Sequence, residues 1–255
     1  MATQHEGDLA PPKETEVEPW VLVTGANSGL GRAYVHHLAE RGIKGIGIDR
    51  SITSVAPPGW VSEQIDISSE DEVSSAFHAF SEKRSAPTGV VNCAGVLGVR
   101  SNLVDLSLDD WRAVQRVNVD GTFLVCREAA RWMIRDAVCG RIVNIASQLG
   151  RVVSPQEGHY AVTKASVLHL TRALAVELAP NGIQVNSVSP GVMVTPMLGD
   201  LEADAKWTAR MKSRIPLGRL ANPREIIPVI DLCLDTKSTY LTGADLVVDG
   251  GWILQ

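Results

Sequence analysis

The stretch Thr24-Gly25-Ala26-Asn27-Ser28-Gly29-Leu30-Gly31 constrains the fold most. A short apolar segment, Trp20 to Thr24, runs into it, and a segment of helical pattern, Leu30 to Arg41, leaves it to end at Gly42. A strand that passes directly into a helix through a tight glycine turn opens a βαβ unit, and successive units build a parallel sheet. The rest of the chain repeats the alternation. Strands are predicted at Lys44 to Ile48 (closing on Asp49), Trp60 to Ile65, Val90-Val91, Arg141 to Ala146, Ile183 to Val188 and Leu246 to Val248. Helices are predicted over Glu70 to Arg84, Leu108 to Ala137, Gly158 to Ala179 and Pro223 to Leu234. The first of these has apolar residues at helical spacing, Val73, Ala76, Phe77 and Phe80. The Asp49–Trp60 link, with Pro57-Pro58-Gly59, is too short for a full crossover helix.

This alternation predicts an α/β fold: a single-domain, Rossmann-type, doubly wound parallel sheet with helices on both faces. A chain of 255 residues suffices for one such domain, expected over residues 20–255, and no internal repeat or linker divides it. Residues 1–19 hold five acidic residues against Lys13, together with Pro11, Pro12 and Pro19, and read as a disordered acidic tail. A net charge of -5 without a basic cluster gives no electrostatic reason to bind nucleic acid or anionic membrane. Cys93, Cys126, Cys139 and Cys233 show no C-x-x-C spacing, so they read as small buried hydrophobes in a reducing, cytoplasmic setting, with no metal site. No apolar run is long enough to span a bilayer, and no signal-peptide core precedes Trp20.

The glycine turn suits a pyrophosphate, because glycines let the backbone approach and a helix N-terminus offers free N–H groups. Asp49, at the end of the next strand, can accept hydrogen bonds from both ribose hydroxyls of NAD and would repel the 2′-phosphate of NADP. Arg50 beside it could hold that phosphate, whereas Ser28 supplies no second basic group; NAD is favoured and NADP kept as the alternative. Further along, Tyr160 and Lys164 lie one helical turn apart. An ammonium beside a phenol favours the phenolate, which makes Tyr160 a candidate acid/base for an alcohol oxygen. His159, beside Tyr160, reads as a structural or pocket-rim residue, and His36, His37 and His169 read as ordinary helix residues.

Taken in order, these residues resemble the short-chain dehydrogenase/reductase family from Trp20 to Trp252. The glycine turn is similar to its TGxxxGxG, Asn92-Cys93-Ala94-Gly95 to its NNAG, and Tyr160-Ala161-Val162-Thr163-Lys164 to its YxxxK. Ser147 stands thirteen residues before Tyr160, and Asn118-Val119-Asp120-Gly121 resembles the segment bearing the family's asparagine. The resemblance implies hydride transfer between a nicotinamide and a carbonyl/alcohol pair. Tyr160 would move the proton, Lys164 would lower its pKa and hold the nicotinamide ribose, Ser147 would hydrogen-bond the substrate oxygen, and Asn118 would hold a relay water behind Lys164. The cofactor would meet Gly25, Asn27, Ser28, Gly29, Leu30 and Gly31 at the pyrophosphate. Asp49 and Arg50 would face the adenosine ribose, and Asp66 and Ile67 the adenine. Asn92, Ala94 and Gly95 would lie along the adenosine ribose side, with Pro190, Gly191, Met193 and Thr195 at the nicotinamide.

The loop-rich segment from Val192 to Ile215 is expected to cover the substrate as a lid, presenting Met197, Leu198, Leu201, Trp207 and Met211. Val96, Leu97, Leu149, Val152 and Val153 are expected on the opposite wall, with Gln148 and Gln156 available to a second oxygen. An apolar pocket of this kind suits a hydrophobic secondary alcohol or diol, cyclic ones included. Two alternatives stay open: an NADPH-dependent 3-oxoacyl or ketone reductase, against which Asp49 and Val176-Glu177 count, and a non-catalytic NAD-binding scaffold, which should have lost an active-site residue. The resemblance also implies a homo-oligomer, a homotetramer, paired through the two long helices.

Overall fold

The structure is a computed structural model that describes residues 18–255. The acidic tail expected over 1–19 therefore lies, except for its last two residues, outside the described residues. Seven parallel strands form one sheet in the order β3-β2-β1-β4-β5-β6-β7. They are β1 (Trp20–Thr24), β2 (Lys44–Asp49), β3 (Trp60–Gln64), β4 (Gly89–Asn92), β5 (Arg141–Ile145), β6 (Gln184–Pro190) and β7 (Asp245–Val248). The helices are α1 (Gly29–Glu40), α2 (Glu70–Ser81), α3 (Leu108–Gln115), α4 (Thr122–Arg135), α5 (Gly158–Leu178), α6 (Ala205–Arg214) and α7 (Ile227–Leu234).

Alternate residues of one strand feed opposite faces, as the two-residue period of a strand requires. In β1, Leu22 joins Ile46, Phe77, Val125, Met133 and Ile142 on one side of the sheet. Val21 and Val23 join Tyr34, Leu38, Val91, Val143 and Ile230 on the other. Burial on both faces explains why central β1 (Trp20–Thr24) and β4 (Gly89–Asn92) read as continuous buried runs, whereas edge strand β3 carries Ser62, Glu63 and Gln64. Each such side chain contributes about 1.5–3 kcal/mol of burial.

The order reverses at β1, whose neighbours are β2 and β4. Open parallel sheets bind ligands at such a switch point, beyond the carboxyl ends of the strands. The glycine turn, Asp49 and the Cys93–Gly95 segment all lie at those ends.

Three segments depart from the sequence reading. The continuous helix expected over Leu108 to Ala137 is interrupted by a π-helical turn, Arg116–Gly121, which carries Asn118. Two close contacts accompany it: Thr122 Oγ1 donates to the Asn118 carbonyl (2.8 Å), and Gly121 passes so near Ile67 that a Cβ would lie 2.8 Å from its Cδ1. The segment from Val192 to Ile215 is less loop-like than expected. It contains a 3₁₀ stretch, Pro196–Glu202, and the helix α6, N-capped by Asp204 Oδ1, which accepts from the backbone N–H groups of Lys206 (2.9 Å) and Trp207 (3.1 Å). The Pro223 to Leu234 helix is a 3₁₀ turn, Pro223–Glu225, followed by α7. The Asp49–Trp60 link carries no helix, as expected.

No helix among the described residues is long and apolar enough to cross a membrane, and no group of three or more His, Cys, Asp or Glu side chains among them could hold a metal ion.

Candidate active site

The turn after β1 takes its shape from its glycines. Gly25 has φ +66, and a Cβ there would lie 2.9 Å from the Ala94 backbone. A Cβ on Gly31 would collide with the Gly25 carbonyl oxygen. Only glycine lets β1, α1 and the segment after β4 approach so closely. Ser28 is the N-cap of α1 but makes no capping bond with its side chain, so the first-turn N–H groups keep their hydrogen-bonding capacity for a ligand. Asp49 closes the neighbouring edge: Oδ2 accepts from Asn27 N–H (3.0 Å) and Oδ1 from Ser51 N–H (3.3 Å). A glycine cradle, open helix N–H groups and a carboxylate at the next strand end together fit a dinucleotide.

A single cavity of about 360 Å³ runs from this turn to the lid. Of the residues expected at the cofactor, Gly25, Ser28, Gly29, Leu30, Gly31, Asp49, Arg50, Asp66, Ile67, Ala94, Gly95, Pro190, Gly191, Met193 and Thr195 line it. Asn27 and Asn92 do not. Asn27 turns away to donate to the Ser51 carbonyl. Asn92 is buried under the sheet, where Nδ2 donates to Asn144 Oδ1 (2.9 Å) and Cys126 Sγ (3.2 Å). It therefore ties β4 to β5 and α4 rather than touching a ligand.

At the far end Ser147, Tyr160 and Lys164 share the cavity wall. Ser147 lies two residues beyond β5 and caps the 3₁₀ turn Gln148–Gly150, its Oγ accepting from Leu149 N–H (3.1 Å). Tyr160 and Lys164 project from α5, and Lys164 Nζ lies 5.6 Å from the centre of the phenol ring. The expected lowering of the phenol pKa by Lys164 does not occur. Burial pushes Tyr160 up to about 12; the Ser147 hydroxyl pulls it down and the Glu157 carboxylate adds to the rise. Burial also brings Lys164 down to about 8. Its ammonium donates to the Ile145 carbonyl (2.8 Å) rather than acting on the phenol. Desolvation disfavours both charged forms and here outweighs their proximity.

Asn118 is buried behind this end and does not line the cavity. Its Oδ1 accepts from Val96 N–H (2.8 Å), while Nδ2 donates to the Val96 carbonyl (2.9 Å) and to Thr163 Oγ1 (3.0 Å). Its side chain is engaged on both ends and pins the backbone at Val96 against α5.

Of the residues expected at the substrate, Val96, Gln148, Leu149, Met197, Leu198 and Trp207 line the cavity, as do Leu97, Leu201 and Met211. Val153 does not: it is 75% exposed on the turn before α5. Gln156 is also outside, in the left-handed conformation at φ +66. Val152 packs into the lid cluster with Met211, Ile215 and Trp252. His159 is buried beneath Gly98 with no hydrogen bond to either ring nitrogen, in keeping with a structural place. Among the lining residues that sequence reasoning missed are Ser154, Glu157, Arg210 and Trp252. Glu157, three residues before Tyr160, carried the one available signal: a carboxylate one helical turn from the phenol.

A family model described as "Enoyl-(Acyl carrier protein) reductase" matches residues 25–253. An uncharacterized short-chain type dehydrogenase/reductase of Sinorhizobium fredii is 35% identical over 94% of this chain, which spans 45% of that relative's length. The cis-4-hydroxycyclohexanecarboxylate dehydrogenase of Sinomonas cyclohexanicum is 34% identical, over 94% of this chain and 98% of its own. Among solved structures, a 4-hydroxyisoleucine dehydrogenase complexed with NADH superposes with a TM-score of 0.87 at 27% identity, over 93% of this chain and 99% of that one. A gluconate 5-dehydrogenase from Burkholderia cenocepacia, in complex with NADP and tartrate, does so with a TM-score of 0.87 at 30% identity, over 93% and 96%. A parallel sheet reversing at a glycine turn, a serine and a YxxxK pair facing it across one cavity, and relatives matched over nearly the whole described chain lead to one assignment: this protein belongs to the short-chain dehydrogenase/reductase family, oxidoreductases that work with a nicotinamide cofactor.

Proposed function

We propose that this protein transfers a hydride between NAD and a hydrophobic secondary alcohol or diol and its ketone, cyclic substrates included. The observation that carries this reading is the shared cavity, with Asp49 at one end and the Ser147–Tyr160 pair at the other. The bound nicotinamide supplies the hydride acceptor or donor. The chain aims and manages the proton. Tyr160 takes the carbinol proton in oxidation and returns it in reduction. Ser147 donates a hydrogen bond to the substrate oxygen as charge develops there. Lys164 holds the nicotinamide ribose. Asn118, pinning Val96 and seated in the π turn, supports a water relay behind Lys164. Met197, Leu198 and Trp207 from the lid, with Leu149 and Val96 opposite, supply apolar contact to the substrate.

The choice of NAD rests on Asp49. Asp49→Ala is expected to lower the ratio of kcat/KM with NAD to that with NADP by about tenfold or more, because the repulsion of a 2′-phosphate goes and Arg50 remains. Asp49 also holds the Asn27 backbone, so affinity for both cofactors falls and the ratio isolates the charge. An unchanged ratio would leave the ribose contact without support. The 3-oxoacyl reductase reading is disfavoured by Asp49 and by Val176, an apolar residue 78% exposed on α5 where such reductases tend to carry a basic one. A non-catalytic scaffold is disfavoured because none of Asn118, Ser147, Tyr160 and Lys164 is missing.

We also infer a homotetramer paired through α4 and α5, whose outer faces expose Phe123 and Val162. Light scattering should give four chains per particle, and a monomer would refute it. The free cysteines suit a cytoplasmic setting.

The test of the main reading is a panel of secondary alcohols and diols with NAD and NADP, followed through the absorbance of the reduced nicotinamide. Turnover of cyclic alcohols with NAD is expected; turnover confined to acyl thioesters with NADPH would replace this reading by the reductase.

A further inference from the structure

One unsatisfied hydrogen-bond acceptor, on Gln148, and one loosely paired carboxylate, that of Glu157, stand on the cavity wall shared with Tyr160. Gln148 is 2% exposed, and its Oε1 is buried with no hydrogen-bond partner. Glu157 occupies the N-cap position of α5, yet its side chain makes no capping bond. The ion-pair partner of its carboxylate among the described residues is Arg100, whose Nε lies 3.9 Å away, beyond hydrogen-bonding distance. Ser154, 8% exposed, adds a hydroxyl to the same wall. The Glu157 charge reaches the reacting end, because it acts on the Tyr160 phenol. Buried acceptors without partners are rare in folded proteins, and one retained in a ligand cavity is explained when the ligand brings the missing donor.

We infer that Glu157 and Gln148 receive a second hydroxyl next to the reacting carbon, so that the substrate is a diol or polyol rather than a mono-alcohol. This rests on the alcohol-oxidising reading proposed above and narrows it. The chemistry of the wall selects among neighbours of the reacting carbon. A thioester or carboxylate oxygen there brings only acceptors and meets the Glu157 charge unfavourably. An ammonium would suit a lone carboxylate, but the Arg100 guanidinium already offsets that charge, and Gln148 is neutral. A hydroxyl donates to either acceptor and accepts from Ser154.

The test compares kcat/KM for cis-1,2-cyclohexanediol with that for cyclohexanol, both with NAD. The wild-type protein is expected to prefer the diol. Glu157→Gln should lower the diol-to-mono-alcohol ratio about tenfold, the worth of a hydrogen bond to a charged acceptor. Gln148→Met should lower it by a similar factor while leaving Tm unchanged or raised, because it removes a buried oxygen that has no partner. A merely structural glutamine would show the opposite, a lower Tm with the ratio intact. If Glu157→Gln does not fold, Gln148→Met decides alone. Oxidation of cyclohexanol with a ratio within about twofold of wild type in the folded variants would overturn the inference and leave the alcohol-oxidising reading standing. So would a preference for 2-aminocyclohexanol over the diol. Failure of the wild-type protein to oxidise any alcohol would remove both.

Discussion

Tyr160→Phe is expected to reduce alcohol oxidation about 10²–10⁴-fold, the usual worth of a positioned general acid or base, while NAD affinity stays within about twofold. The substitution removes one hydroxyl from a buried wall and leaves the ring that packs there, so the cavity keeps its shape. Tyr160 Oη and Ser147 Oγ face the same cavity, so loss of the phenol hydroxyl breaks no structural tie that would unfold a domain of this size. The pH profile carries the same signature. Burial raises the phenol to about 12, so its neutral form persists through the physiological range and beyond. Ketone reduction, which needs the proton, should therefore stay level from neutral into mildly alkaline pH. Alcohol oxidation, which needs the phenolate, should climb by about tenfold per pH unit below that value, and the residual rate of the Phe variant should not. Stopped assays of both directions across pH measure this. Near-normal turnover in the variant would remove Tyr160 from the chemistry.

Ser147→Ala is expected to lower kcat about 10²–10³-fold, the effect of deleting one preorganised donor at a developing oxyanion. KM should change far less, because the serine matters most when charge has formed. The variant also loses the acceptor for the Leu149 N–H, a cap-like bond worth about 1 kcal/mol, so thermal unfolding should show a small decrease. Steady-state kinetics beside a melting curve separate the two effects. A loss of activity that tracked the loss of stability would make Ser147 a turn-capping residue only.

What was legible in the sequence and what was not follows from where each property resides. Gly25 and Gly31 were readable because their constraint is local: the backbone must approach another backbone, and no other residue type allows it. Tyr160 and Lys164 were readable because helical spacing alone puts them on one face. The central strands β1 and β4 were readable because burial on both faces makes them nearly continuous apolar runs. The π turn at Asn118 was hidden, since one inserted residue leaves the apolar pattern of a long helix almost intact. The lid helix was missed even though Asp204 is a good N-cap, because the segment before it is rich in glycine, proline and short turns. The phenol pKa was misjudged for a different reason. A charge four residues away is visible in sequence, whereas full burial of both groups and the turn of Lys164 toward the Ile145 carbonyl exist only once α5 has docked on β5. Val153 was misplaced because the facing of a residue in an irregular turn has no periodicity to read; it is 75% exposed. Glu157 gains its meaning only from the cavity it lines.

The central claim is that one cleft binds NAD with its nicotinamide held against Tyr160. Diffraction from crystals grown with NAD and a bound ketone tests it most directly. Adenosine density is expected beside Asp49, and nicotinamide density between Pro190-Gly191 and Ser147 with the ketone oxygen facing the Tyr160 hydroxyl. Nicotinamide at the Asp49 end, or a ketone oxygen bonded to neither Ser147 nor Tyr160, would contradict it.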